Sequence, residues 1–133
     1  MTATMQRLDH VNILTAHLDD MTAWYGRVLG MHPGPRPNFS VPGVWLYADG
    51  NPVVHLIGVS HQPGADPKDL RMEHFAMTAT GLKDMIAMLE SEGQKYFFRP
   101  VPEAGVVQVN FSDPDGNHIH VDFKLSEAEG MDI

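Results

Sequence analysis

Eight histidines and no cysteine confine the candidate chemistry of this 133-residue chain largely to imidazole, carboxylate and amide groups. Without thiols there is no disulfide framework, no thiolate metal site and no cysteine nucleophile. Four of the histidines, His10, His55, His74 and His120, stand in short apolar runs: LDHVNIL, PVVHL, MEHFAM and NHIHVDF. Side chains alternate faces along a strand, so each of these rings is expected to project from one side of a sheet. Imidazole is the commonest metal ligand at neutral pH and suits Zn, Fe, Ni, Cu and, less commonly, Mn. Any one of them, taken singly, reads equally as a hydrogen-bonded core residue. Their placement in the chain argues otherwise.

The chain repeats itself. Laying Arg7 to Gly30 over the segment from Arg71, at an offset of 64, matches Arg7 with Arg71, His10 with His74, Leu18 with Leu82, Asp20 with Asp84, Met21 with Met85 and Ala23 with Ala87. Each half opens with an extended run and continues into a helix pattern. The first helix, DDMTAWYGRVL, aligns Leu18, Met21, Tyr25, Val28 and Leu29 on one face and stops at Gly30. The second, LKDMIAMLESE, aligns Leu82, Met85, Ile86 and Leu89 and stops at Gly93. Both carry the 3.6-residue period and a glycine stop signal. Short β-rich runs follow: Val44–Ala48 and Pro52–Val59, after the proline-broken HPGPRPNF, then Lys95–Arg99, Val106–Phe111 and His118–Lys124. The expectation is an α+β fold, one domain of two β-α-β-β-β modules at about residues 5–59 and 70–125. The polar stretch 60–69 reads as the linker. DGNPVVHL and DGNHIHV also match, with one gap, which sets His55 opposite His120. Packed side by side, curved sheets of two such modules would form a trough into which all four rings point.

Composition narrows the partners. The chain is 43% hydrophobic and 20% charged, a balance that suits a globular domain burying roughly two thirds of its unfolded surface. Its net charge of −8 speaks against nucleic acid, whose binding draws on clustered Lys and Arg. No apolar run approaches the ~18–20 residues of a membrane span. MTATMQRLDH lacks the basic start and apolar stretch of a secretory signal, so a cytoplasmic location is expected.

At this point the chain resembles the vicinal oxygen chelate superfamily, which includes glyoxalases, methylmalonyl-CoA epimerase, extradiol dioxygenases, fosfomycin-modifying enzymes and bleomycin-binding proteins. The resemblance is carried by LDHVNILTAHLDDMTAWYGRVLGM, PVVHL, MEHFAM and FSDPDGNHIHVDF, spanning about residues 7–123. It implies a curved mixed-sheet cup of paired modules around a divalent metal ion (Zn, Fe, Ni or Mn), a small-molecule substrate and a homodimer. The metal positions it implies are His10, His55, His74 and His120. His120 departs from the pattern, which usually has glutamate there. The carboxylate proton shuttle of the isomerase members is therefore not inherited as it stands. The extradiol signature would place tyrosine where Asn110 stands.

Ligand number separates the chemistries. Four neutral imidazoles leave the ion its full positive charge, a strong Lewis acid for a substrate chelating through two adjacent oxygens. Such a site suits a lyase or isomerase. If His55 stays off the ion, His10, His74 and His120 leave three positions open, enough for a diol and dioxygen in a ring-cleaving dioxygenase. A closed tetrahedral four-histidine zinc site would be structural. A metal-free cup that sequesters a drug or metabolite, as in the bleomycin-binding relatives, is the third reading.

Other groups are candidates to hold the substrate: Arg99, Gln108, Asn110 and Tyr47, with Arg36 as the first-half counterpart of Arg99. An arginine fork suits a carboxylate or phosphate. Against this, Arg36 and Arg99 also read as solvated surface charges, and Trp45 as packing. His118 shares a face with His120 and is a candidate to orient a ligand. His17, His32 and His61 read as solvated, and the nine methionines as packing.

Overall fold

The computed structural model describes residues 2–133 and divides into two compact units, one reaching to Pro63 and the other starting at Gly64. Each is β-α-β-β-β. The first comprises β1 (Val11–Thr15), α1 (Leu18–Leu29), β2 (His32–Pro33), β3 (Gly43–Ala48) and β4 (Asn51–Gly58). The second comprises β5 (Phe75–Thr78), α2 (Leu82–Ser91), β6 (Phe97–Val101), β7 (Val106–Ser112) and β8 (His118–Lys124). The sheets have the same topology, β1-β4-β3-β2 and β5-β8-β7-β6. In each, the first strand runs parallel to the last while the other neighbours are antiparallel. The fold class is α+β, as the repeat implies.

The helices form where the apolar period places them. In α1, Met21, Trp24, Tyr25 and Val28 are buried, a stripe at i, i+3, i+4 and i+7. Gly30 ends it in the left-handed conformation at φ 65°, which glycine adopts without steric cost. In α2, Leu82 and Leu89 are fully buried. The amides of its N-cap residue Gly81 and its first residue Leu82 both donate to Glu127 Oε1 at 3.0 Å, so a carboxylate at the helix start satisfies groups the helix itself leaves open.

Each sheet has one apolar and one polar face. Val107, Val109, Phe111, Ile119, Val121 and Phe123 alternate along β7 and β8 and are almost wholly buried. The residues between them face the other way, in rows fixed by register. Phe97, Asn110, His120 and Ala76 cross the second sheet in one row; Arg99, Gln108, Asp122 and Thr78 cross it in the next. In the first sheet Trp45, His55 and Asn12 form the corresponding row.

Three details differ from the sequence reading. His10 and His74 do not lie on the first strands but one residue before them, because β1 and β5 begin pairing at Val11 and Phe75, opposite Val54 and Ile119. The run at Lys95–Arg99 is displaced: β6 spans Phe97–Val101 and includes Pro100, tolerable because β6 is an edge strand with no partner on its outer side. His32, placed by the sequence at a loop or helix-entry position and read as solvated, lies in the two-residue strand β2 opposite Tyr47, where it is exposed.

Candidate functional site

In the second unit the polar face gathers His74, His118 and His120. His74 and His120 have ring centres 4.6 Å apart at 48°, and His74 and His118 5.1 Å apart at 58°. Two imidazoles bound side by side on one ion, with metal–nitrogen bonds of about 2.1 Å, hold their ring centres roughly 4.5–5.3 Å apart. Both spacings fall in that range.

Hydrogen bonds decide which nitrogens are available. His74 Nδ1 donates to Glu73 Oε1 at 2.7 Å, and His120 Nδ1 donates to Asp122 Oδ1 at 2.6 Å. Each ring therefore keeps its lone pair on Nε2, the arrangement common among metal-binding histidines. His118 is different. Its Nδ1 donates to Glu73 Oε2 at 2.6 Å and its Nε2 lies 2.8 Å from Asn110 Oδ1, so both nitrogens are engaged. Asn110 in turn donates from Nδ2 to Gln108 Oε1 at 3.3 Å. The result is a chain of side chains from His74 through Glu73, His118 and Asn110 to Gln108. The two imidazole donors beside Glu73 hold its carboxyl below the usual carboxylate range.

Among the described residues, one cluster of potential metal donors lies within 4.8 Å mutually: Glu73, His74 and His118. The engagement of both His118 nitrogens makes that ring the weakest donor of the three. His120, outside this cluster, keeps Nε2 free and is the better partner for His74.

The first unit arranges the equivalent rings otherwise. His10 Nδ1 donates to Asp9 Oδ2 at 2.7 Å, the counterpart of the Glu73–His74 bond. His10 and His55 then stack face to face, ring centres 3.8 Å apart and 8° from parallel. Trp45 stacks on the other side of His55 at 4.2 Å and 14°. Lone pairs lie in the plane of an imidazole, so two parallel stacked rings do not aim at one ion. His55 Nε2 donates to the Pro52 carbonyl at 3.0 Å, leaving its lone pair on Nδ1. Burial first, and then the neighbouring His10, push the His55 imidazole below its ordinary value, so it favours the neutral form.

The remaining candidates divide by exposure. Asn110 is buried within the chain of hydrogen bonds, Gln108 is half-buried beside it, and Arg99 is exposed on the adjacent edge strand in register with Gln108. Tyr47 is committed elsewhere: its hydroxyl donates to the Pro35 carbonyl at 2.5 Å. Arg36 lies over the Phe39 ring at 4.9 Å and donates to the Val41 carbonyl at 3.2 Å, bracing the same loop. The sequence reading did not pick out Asp9, Glu73 or Asp122. Asp9 and Glu73 do carry a signal, since an acid precedes both repeat-equivalent histidines at the same offset of 64.

The donor set of the second unit thus fits a divalent cation: two imidazole nitrogens with open lone pairs, each ring oriented by a carboxylate. Comparison with known proteins agrees with the architecture. Residues 7–121 match the model of the glyoxalase/bleomycin resistance protein/dioxygenase superfamily. A curated relative from Arabidopsis thaliana, named Glyoxylase I 4, is 29% identical over 123 residues, covering 86% of this chain and 68% of its own. A glyoxalase family protein from Bacillus anthracis shares the fold with a TM-score of 0.73 at 23% identity, over 93% of this chain and 99% of its own. A fosfomycin resistance protein from Listeria monocytogenes does so with a TM-score of 0.68 at 12% identity, over 90% and 94%. The chain belongs to the glyoxalase/bleomycin resistance protein/dioxygenase superfamily.

Proposed function

We propose that the chain is a divalent-metal-dependent lyase or isomerase acting on a small substrate that chelates the ion through two adjacent oxygens. Of the four ligand candidates His10, His55, His74 and His120, the pair this reading rests on is His74 and His120, because the stacked His10 and His55 rings do not aim at one ion. The observation that carries this reading is the His74–His120 pair: rings at 4.6 Å, each with Nδ1 tied to a carboxylate and Nε2 open. A bound Zn, Fe, Ni or Mn ion would supply Lewis acidity to stabilise negative charge developing on the chelating oxygens.

The chain's own residues supply the rest. His55, whose charged form is disfavoured by burial and whose lone pair is on Nδ1, is the candidate acceptor of a substrate proton. Arg99 offers a forked donor to an anionic substituent, and Gln108 and Asn110 offer amides on the same sheet face. A homodimer in the cytoplasm, without nucleic-acid or membrane partners, completes the proposal.

One observation favours the ring-cleaving dioxygenase as a second reading. The stack of His55 between His10 and Trp45 keeps it from sharing an ion with His10, which reduces the ligand count. Elemental analysis of protein purified without added metal, and again after reconstitution with zinc, nickel, manganese or ferrous iron, tests both. Stoichiometric metal whose removal by chelator abolishes turnover supports an enzyme. Oxygen uptake with ferrous iron alone selects the dioxygenase. Metal that stays far below stoichiometric after reconstitution removes both readings and leaves the metal-free binding protein.

A further inference from the structure

The two last-strand histidines are related by the repeat, yet opposite nitrogens are committed. His55 uses Nε2, on the Pro52 carbonyl; His120 uses Nδ1, on Asp122. The difference traces to one position. Two residues after His120 on the same face stands Asp122, whereas two residues after His55 stands Ile57, which has nothing to accept an N–H. We propose that Asp122 is a positioning residue that fixes the His120 imidazole as its Nδ1–H form, so that the Nε2 lone pair is presented from the polar face of the second sheet.

The environment of the pair supports this role. The His120 side chain is 8% exposed and that of Asp122 25%, whereas the acids that bond His10 and His74 are 71% and 63% exposed. A charge-assisted bond screened from water holds its geometry far better than the same bond on the surface. Among the described residues, the Asp122 carboxylate has no hydrogen-bond partner other than this ring. Its cross-strand neighbours, Thr78 on β5 and Gln108 on β7, flank it without competing for it. A half-buried carboxylate with a single imidazole partner has little else to do than hold that imidazole. The ligand for Nε2 rests on the metal-binding reading above; the fixed ring form rests on the geometry alone.

The test separates the two. Long-range proton–nitrogen spectra of the metal-free protein, with 15N-labelled histidine and at a pH where imidazoles are neutral, report which nitrogen of His120 carries hydrogen. Wild type is expected to show protonated Nδ1 and bare Nε2. Asp122→Ala should shift His120 toward the Nε2–H form that free imidazole side chains prefer. Asp122→Asn, whose amide oxygen still accepts, should retain the Nδ1–H form. Zinc titration should then show binding weakened about 10–100-fold in Asp122→Ala, as loss of an orienting partner does elsewhere, and largely restored in Asp122→Asn. A folded Asp122→Ala protein with the wild-type His120 pattern overturns the proposal. A shifted pattern in a chain that binds no zinc even as wild type supports Asp122's role and removes the metal reading.

Discussion

His10 and His55, 45 residues apart in the chain, lie face to face at 3.8 Å, and Trp45 closes the other side of His55. A ring so enclosed resists charge. In the folded chain His55 titrates below its ordinary value of 6.5, whereas the unfolded chain takes up the proton near that value. Between the two values the unfolded state binds more protons, so stability is complete above about pH 6.5 and is lost as pH falls toward the folded value. Urea unfolding in the presence of chelator, at about pH 8 and about pH 5.5, should show a lower midpoint at the acid pH. His55→Gln, which carries no titrating group, should reduce that difference. An equal acid loss in wild type and His55→Gln would mean that other groups cause it.

The turn that joins β7 to β8 rests on Asp113. Its Oδ1 accepts from the amides of Asp115 and Asn117 at 3.0 and 2.9 Å, and its Oδ2 from the Asn117 side chain at 2.8 Å. The residue is 4% exposed. Asp113→Ala leaves these donors without the carboxylate, and we expect a loss of about 2–3 kcal/mol in urea unfolding. Because the hairpin carries Asn110, His118 and His120, histidine signals of the folded variant should move together. A loss below about 0.5 kcal/mol would show that the turn holds without it.

How much of this is legible in the residues differs by level. The offset of 64 and the two glycine-stopped helices carry the module topology, because strand and helix periods are local properties and the repeat states them twice. The DP-D-G-N run places a turn, although its chief work, Asp113 collecting amides, is structural. The four histidines are visible as a set. Ring orientation is not, because it depends on side chains brought together by sheet register: Trp45 reaches His55 only when β3 pairs with β4. Trp24 and Trp45 also differ in ways composition hides, the first on the buried face of α1 and the second half-exposed on the polar face. Asp122 lies two residues from His120 and was available to period-two reasoning, but nothing in the residue types distinguishes an orienting acid from a solvated one.

Tyr47 was a candidate for substrate contact, and its hydroxyl is already spent on the Pro35 carbonyl. Its ring also lies where a side chain on Gly34 would be, a Cβ there falling 2.5 Å from the ring. Tyr47→Phe should therefore cost about 1 kcal/mol of stability, the usual worth of one hydrogen bond, with ligand or metal affinity unchanged. Gly34→Ala should be worse, since the tyrosine ring must move. A Tyr47→Phe variant with full stability but weakened substrate binding would return the hydroxyl to the site.

His74 and His118 share Glu73 but differ in what remains free, and this yields the sharpest contrast in the second unit. His74 uses only Nδ1, whereas His118 uses both nitrogens. Replacing His74 by alanine removes an open donor from an exposed position, so zinc affinity should fall at least about 10-fold. Stability should change by no more than about 0.5 kcal/mol, as is usual at surface positions. Replacing His118 removes the link between Glu73 and Asn110. That should cost stability, since Asn110 is buried and loses the contact that His118 makes with its side-chain amide, while zinc affinity changes little. Titration calorimetry and urea unfolding of both variants decide the matter. Equal loss of zinc affinity in the two would place the ion on the Glu73–His74–His118 cluster instead of beside His120. Undiminished affinity in both would show that neither ring is a ligand.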